Sequence, residues 1–175
     1  MTASGGPDRG RVEPQEFREL MGGVCAPVTV ISTRTAEGAA HGTTVSAFAS
    51  LSLEPPMVSV ALDRDSALLA HARRSGRLGI NVLAHDQAQT ATTFARSGPD
   101  KFADASWEWD TGMPRLAGVA GWLVADIEQE VAGGDHVILL GGVVRAESTP
   151  ALPLVYARRT FGSHSALVGA PAVEP

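Results

Sequence analysis

A mainly β chain with short helices, built as an antiparallel barrel, is what this sequence predicts. Three observations carry that expectation. Six or seven β-branched or alternating runs follow one another at close spacing. Most are joined by short turn signals such as Ala36-Glu37-Gly38 and Gly133-Gly134-Asp135. Only three short stretches read as helix, which favours an antiparallel barrel over a doubly wound sheet.

In chain order, residues 1–11 are polar and glycine-rich and read as a disordered arm. A single domain is expected over 12–167, with a frayed tail over 168–175. Pro14 suits a first helical turn, Phe17, Leu20 and Met21 form a stripe, and Gly22-Gly23 stops that helix. Val28 to Thr33 is β-branched and reads as a strand. A second strand runs from about Ala39 to the double proline Pro55-Pro56, and Met57 to Leu62 resumes as a third. Asp65-Ser66 is an N-cap signal for a helix that Gly76 closes. Arg77 to Leu83 is a strand. His85-Asp86 opens a helix bearing Ala88, Ala91, Phe94 and Ala95, ended by Gly98-Pro99. Asp100 to Arg115 has little periodicity and reads as a long ordered loop. Leu116 to Val131 and His136 to Ala146 form a hairpin, and Val155-Tyr156 a last short strand.

Composition narrows the function classes. The chain has 175 residues and a net charge of −5, which weighs against a general nucleic-acid or membrane-surface binder. An anionic ligand would have to be met by locally placed cations. The lone Cys25 excludes an intramolecular disulfide, and no apolar run is long enough to span a bilayer. The N-terminal residues lack the apolar core of a signal peptide, so the expected location is cytoplasmic.

The stretch Gly42 to Pro56 is the most informative. Hydroxyls recur at Thr43, Thr44, Ser46, Ser50 and Ser52, separated by small or apolar residues. If the strand is continuous, Thr44, Ser46, Phe48 and Ser50 share one face, and Val45, Ala47, Ala49 and Leu51 the other. Such a face reads either as an ordinary Ser/Thr-rich strand or as a cradle of hydroxyls and backbone N–H groups for a ligand. Elsewhere the chain has no dinucleotide Gly-x-Gly-x-x-Gly and no phosphate loop. The five histidines show no zinc spacing, and neither a serine elbow nor a carboxylate pair is visible. A protein without an evident side-chain nucleophile points toward a bound cofactor that carries the chemistry.

Taken together, several motifs resemble the flavin reductase-like family. They are Phe17-Arg18-x-x-Met21-Gly22, Val28 to Thr33, His41 to Pro56, Ile80-Asn81-Val82-Leu83, Phe94-Ala95 with Lys101-Phe102, Gly134-Asp135-His136, and Pro153-Leu154-Val155-Tyr156. Where many members have Pro-Thr-Gly before the first strand, this chain has Cys25-Ala26-Pro27. The resemblance implies an FMN-binding split barrel of Greek-key type, a homodimer, and reduction of FMN or FAD by NADH or NADPH. It also implies a partner monooxygenase that receives the reduced flavin.

The resemblance further implies a flavin site. Its cradle would run over Thr43, Thr44, Val45, Ser46, Ala47, Ser50 and Leu51, with Asp63 and Ser66 on the ribityl-phosphate side. Asn81, Val82 and Leu83 would give edge and wall contacts. Lys101 would sit near the phosphate beside Phe102, with Phe94 and Tyr156 completing the site. His136 would orient the nicotinamide, and no metal is expected. Each residue also has a plainer reading: a turn-flanking His136, a solvated Lys101, an Asn81 that satisfies backbone groups at a strand end. Two other functions stay open, a non-catalytic flavin-binding protein and a pyridoxamine-phosphate-oxidase-like flavoenzyme on a related barrel.

Overall fold

The computed structural model describes residues 12–98 and 100–164. The expected arm at 1–11 and tail at 168–175 lie outside the described residues. In chain order the elements are α1 Pro14–Gly22, β1 Ala26–Pro27, β2 Thr29–Arg34, β3 Ala40–Val45, β4 Phe48–Leu53, β5 Pro56–Asp63 and α2 Ala67–Ser75. Then come β6 Arg77–Val82, α3 Ala88–Ala95, β7 Trp107–Asp110, β8 Met113–Leu116, β9 Gly121–Gly133, β10 His136–Ser148, β11 Val155–Ala157 and β12 Thr160–Gly162. The described chain is therefore mainly β with three short helices.

The principal sheet has seven strands in the order β3-β2-β6-β9-β10-β5-β4, and the paired neighbours are antiparallel. This order has two edges, so hydrogen bonding does not close the expected antiparallel barrel. The edges β3 and β4 are nevertheless consecutive in the chain, joined by Ser46 and Ala47 alone. A flat sheet of seven strands would hold its edges roughly 29 Å apart. The Val45–Phe48 link spans about 11 Å at most. The sheet must therefore curl until the Val45 end of β3 meets the Phe48 end of β4, with Ser46–Ala47 as the joint.

That joint corrects one expectation. The run from Ala39 to Pro56 is not one strand, so its face alternation does not carry through. Val45 and Phe48 both pack inward against the same core, whereas Leu51 is 49% exposed. A register shift between Ser50 and Ser52 further turns β4 relative to β5. The physical cause is the change of neighbour, since β3 pairs with β2 and β4 pairs with β5.

The core forms on both faces of the curled sheet. Ile31, Val60, Leu62, Ile80 and Leu139 gather on one side with Leu68, Leu69 and Ala72 of α2. Val30, Leu83, Trp122 and Leu154 gather on the other with Phe94 of α3, Phe102 and Leu116. This double coverage explains why every residue from Thr29 to Thr33 is buried. Trp122 lies against Gly79, where an added Cβ would come within 2.6 Å of its ring. The α2 caps follow the sequence signals: the Leu69 N–H donates to Ser66 Oγ at 3.2 Å, and Gly76 closes the helix at φ 68°.

Residues 107–116 are a hairpin rather than a loop. Trp107 stands opposite Leu116, and Trp109 opposite Pro114. The four-residue alternation of Trp107 and Trp109 with Glu108 and Asp110 was too short to register as a strand. Phe94, Phe102, Trp107 and Trp109 make a chain of edge contacts, with ring centroids 4.8 to 5.2 Å apart. Arg115 and Arg145 bridge Asp110 and Glu147, tying the hairpin to β10. β9 begins at Gly121 rather than at Leu116, which closes the hairpin as part of β8.

His41 on β3 packs against His71 on α2, with ring centroids 4.8 Å apart. Burial, with the neighbouring His71 and Lys101, holds His41 below the usual histidine range. The unfolded chain therefore binds a proton there before the folded one does. Stability should be full above about pH 6.5 and fall as pH drops below it. Denaturant midpoints measured from pH 7.5 down to pH 5 should show this decline, and His41→Asn should flatten it. An unchanged slope in the variant would remove His41 as the cause.

Candidate functional site

The joint between the sheet edges sits on the wall of an open cleft of about 320 Å³. Thr43, Thr44, Val45, Ser46 and Ala47 line one side, and Ala61, Leu62, Asp63, Ser66 and His136 line the other. Two strand connections build this place. Ser46–Ala47 links β3 to β4, and Gly134–Asp135 links β9 to β10. Gly134 takes φ 69°, which the two-residue hairpin requires. Residue pairing then sets His136 opposite Asp63 of β5.

His136 is partly exposed, and its Nδ1 lies 2.8 Å from Asp135 Oδ1. An ionised carboxylate only accepts hydrogen bonds, so Nδ1 is the donor, and in the neutral imidazole Nε2 is then an acceptor. The hydrogen bond from His136 holds the Asp135 carboxyl below the usual carboxylate range. The turn is tied down from the other side. The Arg64 N–H donates to the Asp135 carbonyl at 3.0 Å, and the Arg64 guanidinium contacts the Gly134 carbonyl. Asp63 accepts the Asp65 N–H at 2.8 Å, and Ser66 caps α2, so both brace the loop beneath His136.

On the facing wall, not every hydroxyl is available. Thr43 donates to the Phe94 carbonyl at 3.1 Å, and Thr44 to the Ala91 carbonyl at 2.7 Å, fastening β3 to α3. The Ser46 hydroxyl and the N–H groups of Ser46 and Ala47 have no partner among the described residues. These exposed donors next to an apolar strand end suit the polar edge of a flat heteroaromatic ring, whose carbonyl and ring nitrogens accept. The donor set therefore fits a flavin ring edge.

Several expected site residues are elsewhere. Asn81 is fully buried. Its side-chain amide donates toward the carbonyls of Val30 and Pro114 and toward Ser32 Oγ, and its oxygen accepts the Leu116 N–H at 2.7 Å. It has nothing left for a ligand, and the expectation of an edge contact is corrected. Leu83, Phe94 and Phe102 are buried in the core, and Val82 packs against the opposite cluster. Lys101 is half-buried and donates to the carbonyls of Phe94 and Gly42. Burial lowers its pKa, and it is a structural clamp rather than a phosphate cation in the cleft. Ser50 and Leu51 lie along β4 and do not line the cleft.

Tyr156 lines a neighbouring pocket of about 410 Å³ that shares Thr44, Val45 and Ser46 with the cleft. Val28, Ala91, Thr92, Ala95, Arg159 and Phe161 complete it. Sequence reasoning missed Arg159. It sits with Arg158 in the turn between β11 and β12, and the two take φ of 61° and 49°. Left-handed backbone costs a non-glycine residue about 1 kcal/mol each. Among the described residues, no group of three or more His, Cys, Asp or Glu is placed to hold a metal, and no helix is long and apolar enough to cross a membrane.

Comparison with known proteins bears on this arrangement. The model of the flavin reductase like domain family matches residues 21–165. The reductase component of the 4-nitrophenol 4-monooxygenase/4-nitrocatechol 2-monooxygenase of Rhodococcus opacus is 37% identical over 151 residues, 86% of this chain and 81% of that protein. A solved protein of Sinorhizobium meliloti 1021 superposes with a TM-score of 0.84 at 33% identity, over 91% of this chain; this chain spans only 56% of it. The NADH:FAD oxidoreductase of Streptomyces globisporus C-1027 superposes with a TM-score of 0.82 at 27% identity, over 91% of this chain and 99% of that one.

Proposed function

Because the chain belongs to the flavin reductase-like family, we propose that it uses NADH or NADPH to reduce FMN or FAD and passes the reduced flavin to a partner monooxygenase. The observation that carries this reading is the cleft in which the unpaired donors of Ser46–Ala47 face His136. When both ligands are bound, the flavin supplies the chemistry by accepting a hydride at N5 from nicotinamide C4.

The protein's own groups bind and align. The Ser46 hydroxyl and the N–H groups of Ser46 and Ala47 hold the acceptor edge of the flavin ring. His136, fixed by Asp135, presents Nε2 to the carboxamide of the nicotinamide. Hydride transfer needs alignment more than it needs an acid or a base, so positioning is the dominant contribution. An open cleft that meets the ring edge with neutral donors binds moderately and lets two ligands exchange, as a reductase that releases its product requires.

Residues 12–167 act as one domain in this reading, a split barrel whose curl brings the two sheet edges to the cofactor. We also take the active form to be a homodimer in the cytoplasm. Helix α1 buries none of its residues and exposes Phe17, Leu20 and Met21, beside exposed Val24. A second copy would cover that stripe. Steady-state oxidation of NADH and NADPH, each with FMN and with FAD, tests the function. Turnover should require a nucleotide and a flavin together, and a folded protein inactive in all four pairings would refute it.

A further inference from the structure

We propose that Arg159 receives the 5′-phosphate of the flavin, in the pocket on the far side of Ser46, and makes the protein select phosphorylated flavins over riboflavin. This rests on the reading of the cleft as the flavin site and assigns the end of the cofactor that the cleft itself does not hold.

Charge decides the direction in which the flavin lies. The cleft carries the exposed Asp63 and, beside His136, Asp135. Arg64 is already turned onto the Gly134 carbonyl. A phosphate placed there would face carboxylates with no unengaged cation. Across Ser46 the arrangement reverses. The second pocket contains Arg159, which makes no hydrogen bond or ion pair among the described residues. No carboxylate lines this pocket. The net charge of −5 gives a phosphate no general attraction, so a local guanidinium is what can hold it. Lys101, the other candidate, is clamped on two backbone carbonyls.

The backbone gives an independent reason to single out this turn. A two-residue hairpin with both φ values positive favours Asn-Gly or Gly-Gly. Here Arg158 and Arg159 occupy both positions, at φ 49° and 61°. The pocket walls Val28, Ala91 and Phe161 are apolar, while Arg159 itself is exposed and able to turn onto a ligand. Thr44, Val45 and Ser46 line both pockets, so the two adjoin across this strand end.

The turn itself supplies a clean test. Glycine suits both positions, so Arg159→Gly removes the cation while relieving strain, and Arg158→Gly relieves strain while keeping the cation. Equilibrium binding of oxidised FMN and of riboflavin is followed by flavin fluorescence, alongside thermal melting. Arg159→Gly should raise the Kd for FMN about tenfold, the loss of one charged hydrogen bond. It should leave the riboflavin Kd unchanged and the melting midpoint equal or higher. Arg158→Gly should change neither Kd, and Arg159→Lys should recover part of the FMN affinity. Equal FMN affinity in wild type and Arg159→Gly, or equal weakening of both flavins, would overturn the assignment. Those results leave flavin reduction by the wild type intact, whereas a wild type that binds no flavin would remove the reading on which the assignment rests.

Discussion

Asn81→Leu is expected to cost the protein about 3–5 kcal/mol of stability, because it strands several buried polar groups at once. The Leu116 N–H would lose its acceptor, and the carbonyls of Val30 and Pro114 would lose a donor. Ser32 donates to the same Pro114 carbonyl at 2.7 Å, so the β7–β8 hairpin would keep that bond to β2. Denaturant unfolding at neutral pH measures the loss. In the fraction that folds, the flavin Kd should be close to that of the wild type. A stable variant with weakened flavin binding would return Asn81 to the ligand site.

His136→Ala is expected to lower kcat/KM for the reduced nicotinamide by about ten- to a hundredfold, the range that misalignment of reacting atoms produces. The side chain is partly exposed at the start of β10, so stability should barely change. Flavin affinity should also hold, since the proposed ring contacts come from Ser46 and Ala47. Asp135→Ala should give a smaller loss, through release of the imidazole from its 2.8 Å hydrogen bond. Rapid-reaction kinetics with varied NADH separates binding from transfer. A His136→Ala variant with full kcat/KM would reduce the residue to a turn flank.

Much of the fold was legible because its signals are local. Ser66 and Gly76 bracket a helix by capping chemistry that any reader of the sequence can apply. The β-branched run at Thr29–Arg34 and the Gly134–Asp135 turn are equally direct. The break at Ser46–Ala47 was not legible, since nothing in Thr-Val-Ser-Ala-Phe distinguishes a continuous strand from two strands on opposite edges. Only the pairing partners decide, and those are distant in sequence. The same limit applied to the site. The resemblance placed Asn81 and Lys101 at the ligand, yet both are consumed by carbonyls that come from other elements, as the plainer reading of Asn81 has it. Arg159 has no distinguishing sequence context beyond the neighbouring Arg158, and only its place in a turn beside Ser46 marks it. A pair of arginines in a two-residue turn was the available signal.

The central claim is that the Ser46–Ala47 joint and His136 bring a flavin and a reduced nicotinamide together. Anaerobic mixing of the purified protein with FMN or FAD and an excess of NADH or NADPH tests it most directly, followed in the flavin's visible absorbance. The account predicts bleaching that depends on the protein and slows in His136→Ala. Visible absorbance that persists at the protein-free level with both flavins and both nucleotides would contradict it.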